Sequence, residues 1–262
     1  MSITIERVSD IAGCEACHGV ASKVWGEEAA CSIPQMLVHA TYGGVVLLAR
    51  DNGVPVGFVF SFPAIYHDTL VLWSHETAVL PEYLHQGLGT KLKMEQWLIA
   101  KEMPYTAVAW TFDPLISRNA HFNLNKLGAC ISEYKVNAYG IMDDFINGKL
   151  ETDRFIAVWP IDNKKVFHGE PLNRKVLLKL DSRTSEQNPL PDIDRLCDLG
   201  ERNTVVETRI PLEMERVFRE SPSASKKWRS TFREAALLLY AEGYNVVQFE
   251  RNETYGVYVW QS

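Results

Sequence analysis

No stretch of the chain approaches the eighteen or so consecutive apolar residues that a membrane-spanning helix needs, so no membrane partner is expected. A positive charge excess is also lacking. The formal net charge of -6 argues against non-specific binding to nucleic acid, which requires a basic surface. Ser2 to Val8 is polar and alternating, unlike the apolar heart of a secretory signal. Cysteine is sparse and odd in number, at five, which reads as free thiols in a reducing compartment and makes the cytoplasm the expected location. Core-forming residues are not scarce. A hydrophobic share of 46% against 23% charged over 262 residues is that of an ordinary globular chain.

Cys14-Glu15-Ala16-Cys17-His18 matches the C-x-x-C-H string of covalent haem attachment, a chemistry of exported proteins. A plainer reading fits better. Ile11, Cys14, Cys17, His18, Ala21, Val24 and Trp25 recur at helical spacing, so the cysteines read as small core residues of an amphipathic helix. No metal is expected.

Up to about residue 160 strand-like and helix-like segments alternate, the pattern of an α/β architecture. Ile3 to Arg7 reads as a strand, and Ser9 or Asp10 can cap a helix running to Trp25. A short helix follows from Pro34 to Tyr42. Val45 to Ala49 and Val56 to Ser61 flank Asn52-Gly53, a hairpin signal, and Leu70 to Leu80 continues the meander. A helix over Gly87 to Glu102, a strand over Ala107 to Thr111, a helix over Ser117 to Lys126 and strands near Cys130 to Lys135 and Phe155 to Trp159 complete this part. Residues 161 to 262 read as a separate α+β extension. It opens on a segment rich in charge, Asn and Pro, and carries strands at Lys175 to Leu180 and Val205 to Ile210. Helices follow Pro211 and Ser223, and two further strands, Asn245 to Glu250 and Gly256 to Trp260, close the chain. Lys226, Lys227, Arg229 and Arg233 read as a solvated helix face, and the late aromatic strands as core.

Leu84-His85-Gln86-Gly87-Leu88-Gly89-Thr90 lies between a long strand and an amphipathic helix. Its glycines let the backbone turn tightly and approach a ligand, and the helix start offers free N–H groups to an anion. A Walker loop is excluded because Gly89-Thr90 has no lysine where that loop requires one, and the dinucleotide fingerprint because Leu92 stands where a third glycine belongs.

The turn resembles motif A of the GNAT superfamily of N-acetyltransferases, R/Q-x-x-G-x-G/A, with Gln86, Gly87, Leu88 and Gly89 on its last four positions and Leu84 in place of Arg or Gln. Ser117 to Ala129 resembles the family's motif B helix at Ala120, Lys126, Leu127 and Gly128, but Leu124 replaces the tyrosine that often protonates the leaving thiolate. The likeness extends to an uncharacterised branch of predicted acetyltransferases with a comparable C-terminal extension, similar in Ser74-His75 and in the run from Trp110 to Leu115.

The resemblance implies a GNAT-like mixed, largely antiparallel splayed sheet flanked by helices over residues 1 to 160, followed by the extension. It implies acetyl-CoA or another acyl-CoA as co-substrate and a small-molecule or peptide amine as acceptor. Pantetheine would pair with backbone near Ala78 and Val79, and the pyrophosphate would rest on Gln86, Gly87, Leu88, Gly89 and Thr90. Asn119 and Asn123, four apart on one helix face, can reach the cofactor amides. As general base the candidates are His75 and Glu76, of which strand alternation turns only one toward the acceptor, and then Asp113. The departures at Leu84 and Leu124 leave a non-catalytic acyl-CoA-binding sensor or assembly module as the alternative.

Overall fold

A computed structural model describes residues 2–141, 150–162, 173–179, 190–191 and 204–262. Packing divides the chain into two compact units, 1–110 with 158–164 and 111–157 with 165–262, whereas composition marks a boundary at 160.

The first unit begins with β1 (Ile3–Arg7), α1 (Ile11–Trp25) and α2 (Ile33–Thr41). A meander follows, β2 (Val45–Asp51), β3 (Val54–Tyr66) and β4 (Thr69–Val79), and then α3 (Leu88–Lys101) and β5 (Ala107–Phe112), which this unit holds as far as Trp110. These strands lie in the order β1-β2-β3-β4-β5, antiparallel throughout except for β4 beside β5, which is parallel.

Local chemistry explains the turns. Asp10 caps α1 by accepting from Gly13 N at 2.8 Å. Asn52 and Gly53 take φ of 48° and 86°, the left-handed pair that a two-residue hairpin requires. A second hairpin turns on His67 and Asp68, with φ of 45° and 59°. The sequence gives no glycine to announce it, and Pro63 suggests a strand end. Pro63 nevertheless stays in register opposite Leu72, so β3 runs on past Ser61 to Tyr66. One face of the sheet buries Cys14, Cys17 and Met36 from α1 and α2 against Phe58 and Phe60. The two cysteines are core, although Ile11, expected beside them, is 58% exposed. Trp97, Trp110 and Trp159 pack on one another, and the Trp97 indole donates to Pro160 O at 3.2 Å.

The second unit contains α4 (Ser117–Ala120), which loosens into a π-helical turn over His121–Lys126, then β6 (Cys130–Lys135) and β7 (Arg154–Pro160), which this unit holds as far as Ala157. A five-stranded sheet in the order β11-β12-β10-β8-β9 is built from β8 (Asn173–Lys179), β9 (Leu190–Pro191), β10 (Thr204–Pro211), β11 (Asn245–Arg251) and β12 (Tyr255–Gln261). Two helices, α5 (Met214–Glu220) and α6 (Pro222–Ala241), lie between β10 and β11 in the chain. Phe155, Trp228, Phe232, Phe249, Tyr258 and Trp260 are fully buried, as the expected aromatic core requires. The expected strand end at Leu180 lies outside the described residues.

The solvated basic face expected on α6 holds for the exposed Lys226 and Lys227 and is corrected at Arg229 and Arg233. Arg229 is only 3% exposed and donates through both terminal nitrogens to Asp113. Arg233 donates to Asp153 and Glu151. A buried guanidinium demands a carboxylate, and the partners here come from segments about eighty or more positions away, which spacing along one helix cannot reveal.

Candidate functional site

The glycine turn is built as a helix start with spare donors. Gly87 sits at the N-cap of α3 with φ 76°, a left-handed conformation that favours glycine, and His85 shares it at 65°. Lys91 N bonds back to Gly87 O at 3.1 Å, so the amides of Leu88, Gly89 and Thr90 belong to the unpaired first turn. No side chain caps this end. Gln86 turns away and donates to Glu82 O at 2.9 Å, which leaves the recognition of an anion to backbone N–H groups and the helix dipole.

Beside this turn the sheet opens. β4 pairs with β5 at Leu72↔Val108 and Trp73↔Ala109 and no further, although β4 continues to Val79. Among the described residues, the stretch from Ser74 to Val79, including Ala78 and Val79, therefore has no strand bonded along its β5 edge. Such an edge offers paired N–H and C=O groups to an extended amide-bearing ligand.

The strand alternation expected to turn only one of His75 and Glu76 toward the acceptor is broken by a β-bulge. Phe60 pairs with Glu76 and Ser61 with Ser74, so His75 is the extra residue. The bulge cancels one alternation and puts both side chains on the same face. The His75 ring meets Phe60 and Phe62 at 5.8 and 5.6 Å, and His39 of α2 stacks on Phe62 at 4.8 Å. Burial, with the nearby His39, holds the His75 imidazole below its ordinary value, in its neutral form. Glu76 accepts from Cys31 N at 3.0 Å through Oε1, while Oε2 is buried with no partner among the described residues. Burial pushes its carboxyl up to about 7, against the opposing pull of the Cys31 amide and His18.

Asp113, Asn119 and Asn123 belong to the second unit. Burial raises the Asp113 carboxyl, but Arg229, with help from Arg154 and the Leu115 amide, outweighs it and holds the group below its ordinary value. Asn119 is half-buried on α4, and Asn123 is buried in the π-helical turn.

One group in the first unit escaped the sequence reading altogether. Lys93, on α3, is 3% exposed, and its ammonium donates to Ser74 Oγ at 2.9 Å and Gln96 Oε1 at 2.7 Å. A lysine at an apolar position of an amphipathic helix was the available signal, since Leu92 and Gln96 flank it on the buried side.

A sheet that forks between two parallel strands, next to a helix start with free amides, defines a GNAT-like α/β fold. Residues 19–122 match the model of the Acetyltransferase (GNAT) family. Among solved structures, it is similar to the ribosomal-protein-S18-alanine N-acetyltransferase of Escherichia coli, at 17% identity over 65% of this chain and 99% of that one, with a TM-score of 0.50. It is equally similar to yncA of Salmonella typhimurium, seen with its cofactor acetyl-CoA, at 16% identity over 65% and 98%, with a TM-score of 0.50. These likenesses establish the fold. No curated protein matches the chain.

Proposed function

We propose that the protein transfers an acyl group, acetyl in the simplest case, directly from CoA to the amine of a small molecule or peptide. The observation that carries this reading is the free first turn of α3 standing beside the unpaired edge of β4. A pyrophosphate suits the amides of Leu88, Gly89 and Thr90, and the peptide-like amides of pantetheine suit the backbone of Ala78 and Val79. The CoA thioester supplies an activated acyl carbon. The acetyl-CoA bound to the Salmonella relative and the N-acetyl transfer named for the Escherichia coli one support donor and reaction.

Glu76 is the general base. It carries a buried oxygen with no partner among the described residues and titrates near neutrality, the condition under which a carboxylate both exists and accepts a proton. The amine nitrogen forms its bond to the acyl carbon, its proton goes to Glu76 Oε2, and the C–S bond breaks to release the thiolate. His75, neutral and ringed by Phe60 and Phe62, shapes the acceptor side. Asp113 is assigned to structure, since both its oxygens are engaged by arginine. For Asn119 and Asn123 the family likeness alone speaks.

Calorimetry with CoA and acetyl-CoA tests the cofactor, and thiol release across a panel of primary amines tests the reaction. Micromolar binding with amine-dependent release is expected. Failure to bind CoA at millimolar concentration sinks the reading, and binding without release from any amine leaves the sensor in its place.

A further inference from the structure

Lys93 buries its amine with no anionic partner among the described residues. Among the described residues its ammonium has no carboxylate within ion-pair distance. Its neighbours are Ser74 Oγ, Gln96 Oε1 and the face of Trp110, whose centroid lies 3.9 Å away. Burying an amine that ionises in water among neutral groups is unfavourable, and an apolar residue of similar size would fill the space without that penalty. Burial accordingly pushes the ammonium well below its ordinary value.

The hydrogen bonds around it run in one direction. Gln96 turns its carbonyl to Lys93, which aims its amide nitrogen at Ser74 Oγ, at 3.0 Å. Ser74 therefore accepts from both Lys93 and Gln96, and no described group accepts its own proton. A hydroxyl that receives two donors, one of them charged, is a strengthened donor in turn. The cluster thus offers an O–H and an amine that an arriving anion would hold in its charged form, and among the described residues it lacks that anion.

Its place in the fold says where that anion comes from. Trp73 and Ala109 are the last bonded pair of β4 and β5, and Ser74 and Trp110 are the residues that follow them. Lys93 lies under the point of the fork. This step rests on the proposed function, under which the acyl end of the donor enters the fork. We propose that Lys93, Ser74 and Gln96 form a carboxylate subsite, and that the donor is the CoA thioester of a dicarboxylic acid. The transfer balances as before: the N–C bond forms, the C–S bond breaks, the amine proton leaves to Glu76, and the distal carboxylate is unchanged.

Succinyl-CoA, butyryl-CoA and acetyl-CoA separate the possibilities, because succinyl and butyryl chains have the same length and differ in the terminal charge. Calorimetry on the whole chain needs no acceptor. Wild type is expected to bind succinyl-CoA about 10- to 100-fold more tightly than butyryl-CoA, the worth of hydrogen bonds to a charged group. Lys93→Met is expected to erase that difference while keeping affinity for CoA itself, and Ser74→Ala to reduce it. Equal affinity of wild type for succinyl-CoA and butyryl-CoA overturns the subsite while CoA binding still upholds the proposed function. Loss of CoA binding by wild type overturns both. The wild-type measurement decides the matter even if Lys93→Met does not fold.

Discussion

Both units bury ionisable groups, and they treat them in opposite ways. In the second unit each carboxylate at the centre has its cation: Asp113 takes Arg229 and Arg154, and Asp153 takes Arg233 and the Tyr134 hydroxyl. In the first unit Glu76 keeps a buried oxygen without a partner, and Lys93 has only neutral neighbours. Paired charges brace a fold and lose much if one member is removed. Unpaired ones cost stability for as long as they are kept, and their retention points to a ligand. The contrast makes separate demands on activity and on stability, and each can be measured.

The largest expected effect is on turnover. Glu76→Gln should lower amine-dependent thiol release by about 10²- to 10⁴-fold, the usual worth of a general base, with CoA affinity kept. Wild-type kcat/KM should rise with pH through about 7, and that limb should vanish in the variant. Stability should move the other way. The folded state raises the carboxyl from an ordinary 4.5 to about 7, so the native chain holds the proton more tightly than the unfolded one. Its stabilising contribution is present below 4.5 and is lost as pH rises through 7. Above that pH, Glu76→Gln should unfold no earlier than wild type in a denaturant titration. A variant that is both inactive and clearly less stable would show that Glu76 belongs with the braces.

Next comes the brace itself. Arg229→Met strands the buried Asp113 carboxylate and should cost about 3–5 kcal/mol in a urea titration. Adding Asp113→Asn to Arg229→Met should recover a good part of that loss, because the uncompensated charge is gone. If Arg229→Met leaves the midpoint unchanged, the pair is not a brace and the assignment of Asp113 to structure falls.

The sequence shows the parts whose causes are local. Asn52-Gly53, the Asp10 cap and the amphipathic face of α3 each act within a few residues, and they place β2, β3, α1 and the glycine turn. Tertiary effects are invisible to it. The bulge at His75 arises from register with β3, not from any residue that signals it, and it alone brings His75 and Glu76 to one face. The π-helical turn at His121–Lys126 and the second hairpin at His67-Asp68 likewise lack a local mark. For charge the same limit holds. Arg229 and Lys93 look like surface residues until their burial and their partners, charged for the one and neutral for the other, are seen.

The smallest effect concerns the turn that first marked the chain as a phosphate binder. At Gly87 an added Cβ meets nothing within 4 Å, so only its φ of 76° resists substitution. Gly87→Ala should therefore cost about 1 kcal/mol of left-handed strain, and CoA affinity should fall by less than about tenfold as the first turn of α3 shifts to relieve it. Gly87→Asn should recover most of both losses, since asparagine tolerates that conformation. Calorimetry on the two variants discriminates a backbone cradle from a packing site. If alanine and asparagine weaken CoA binding equally, the glycine is needed for room beside the ligand, and the conformation of the turn is not what holds the pyrophosphate.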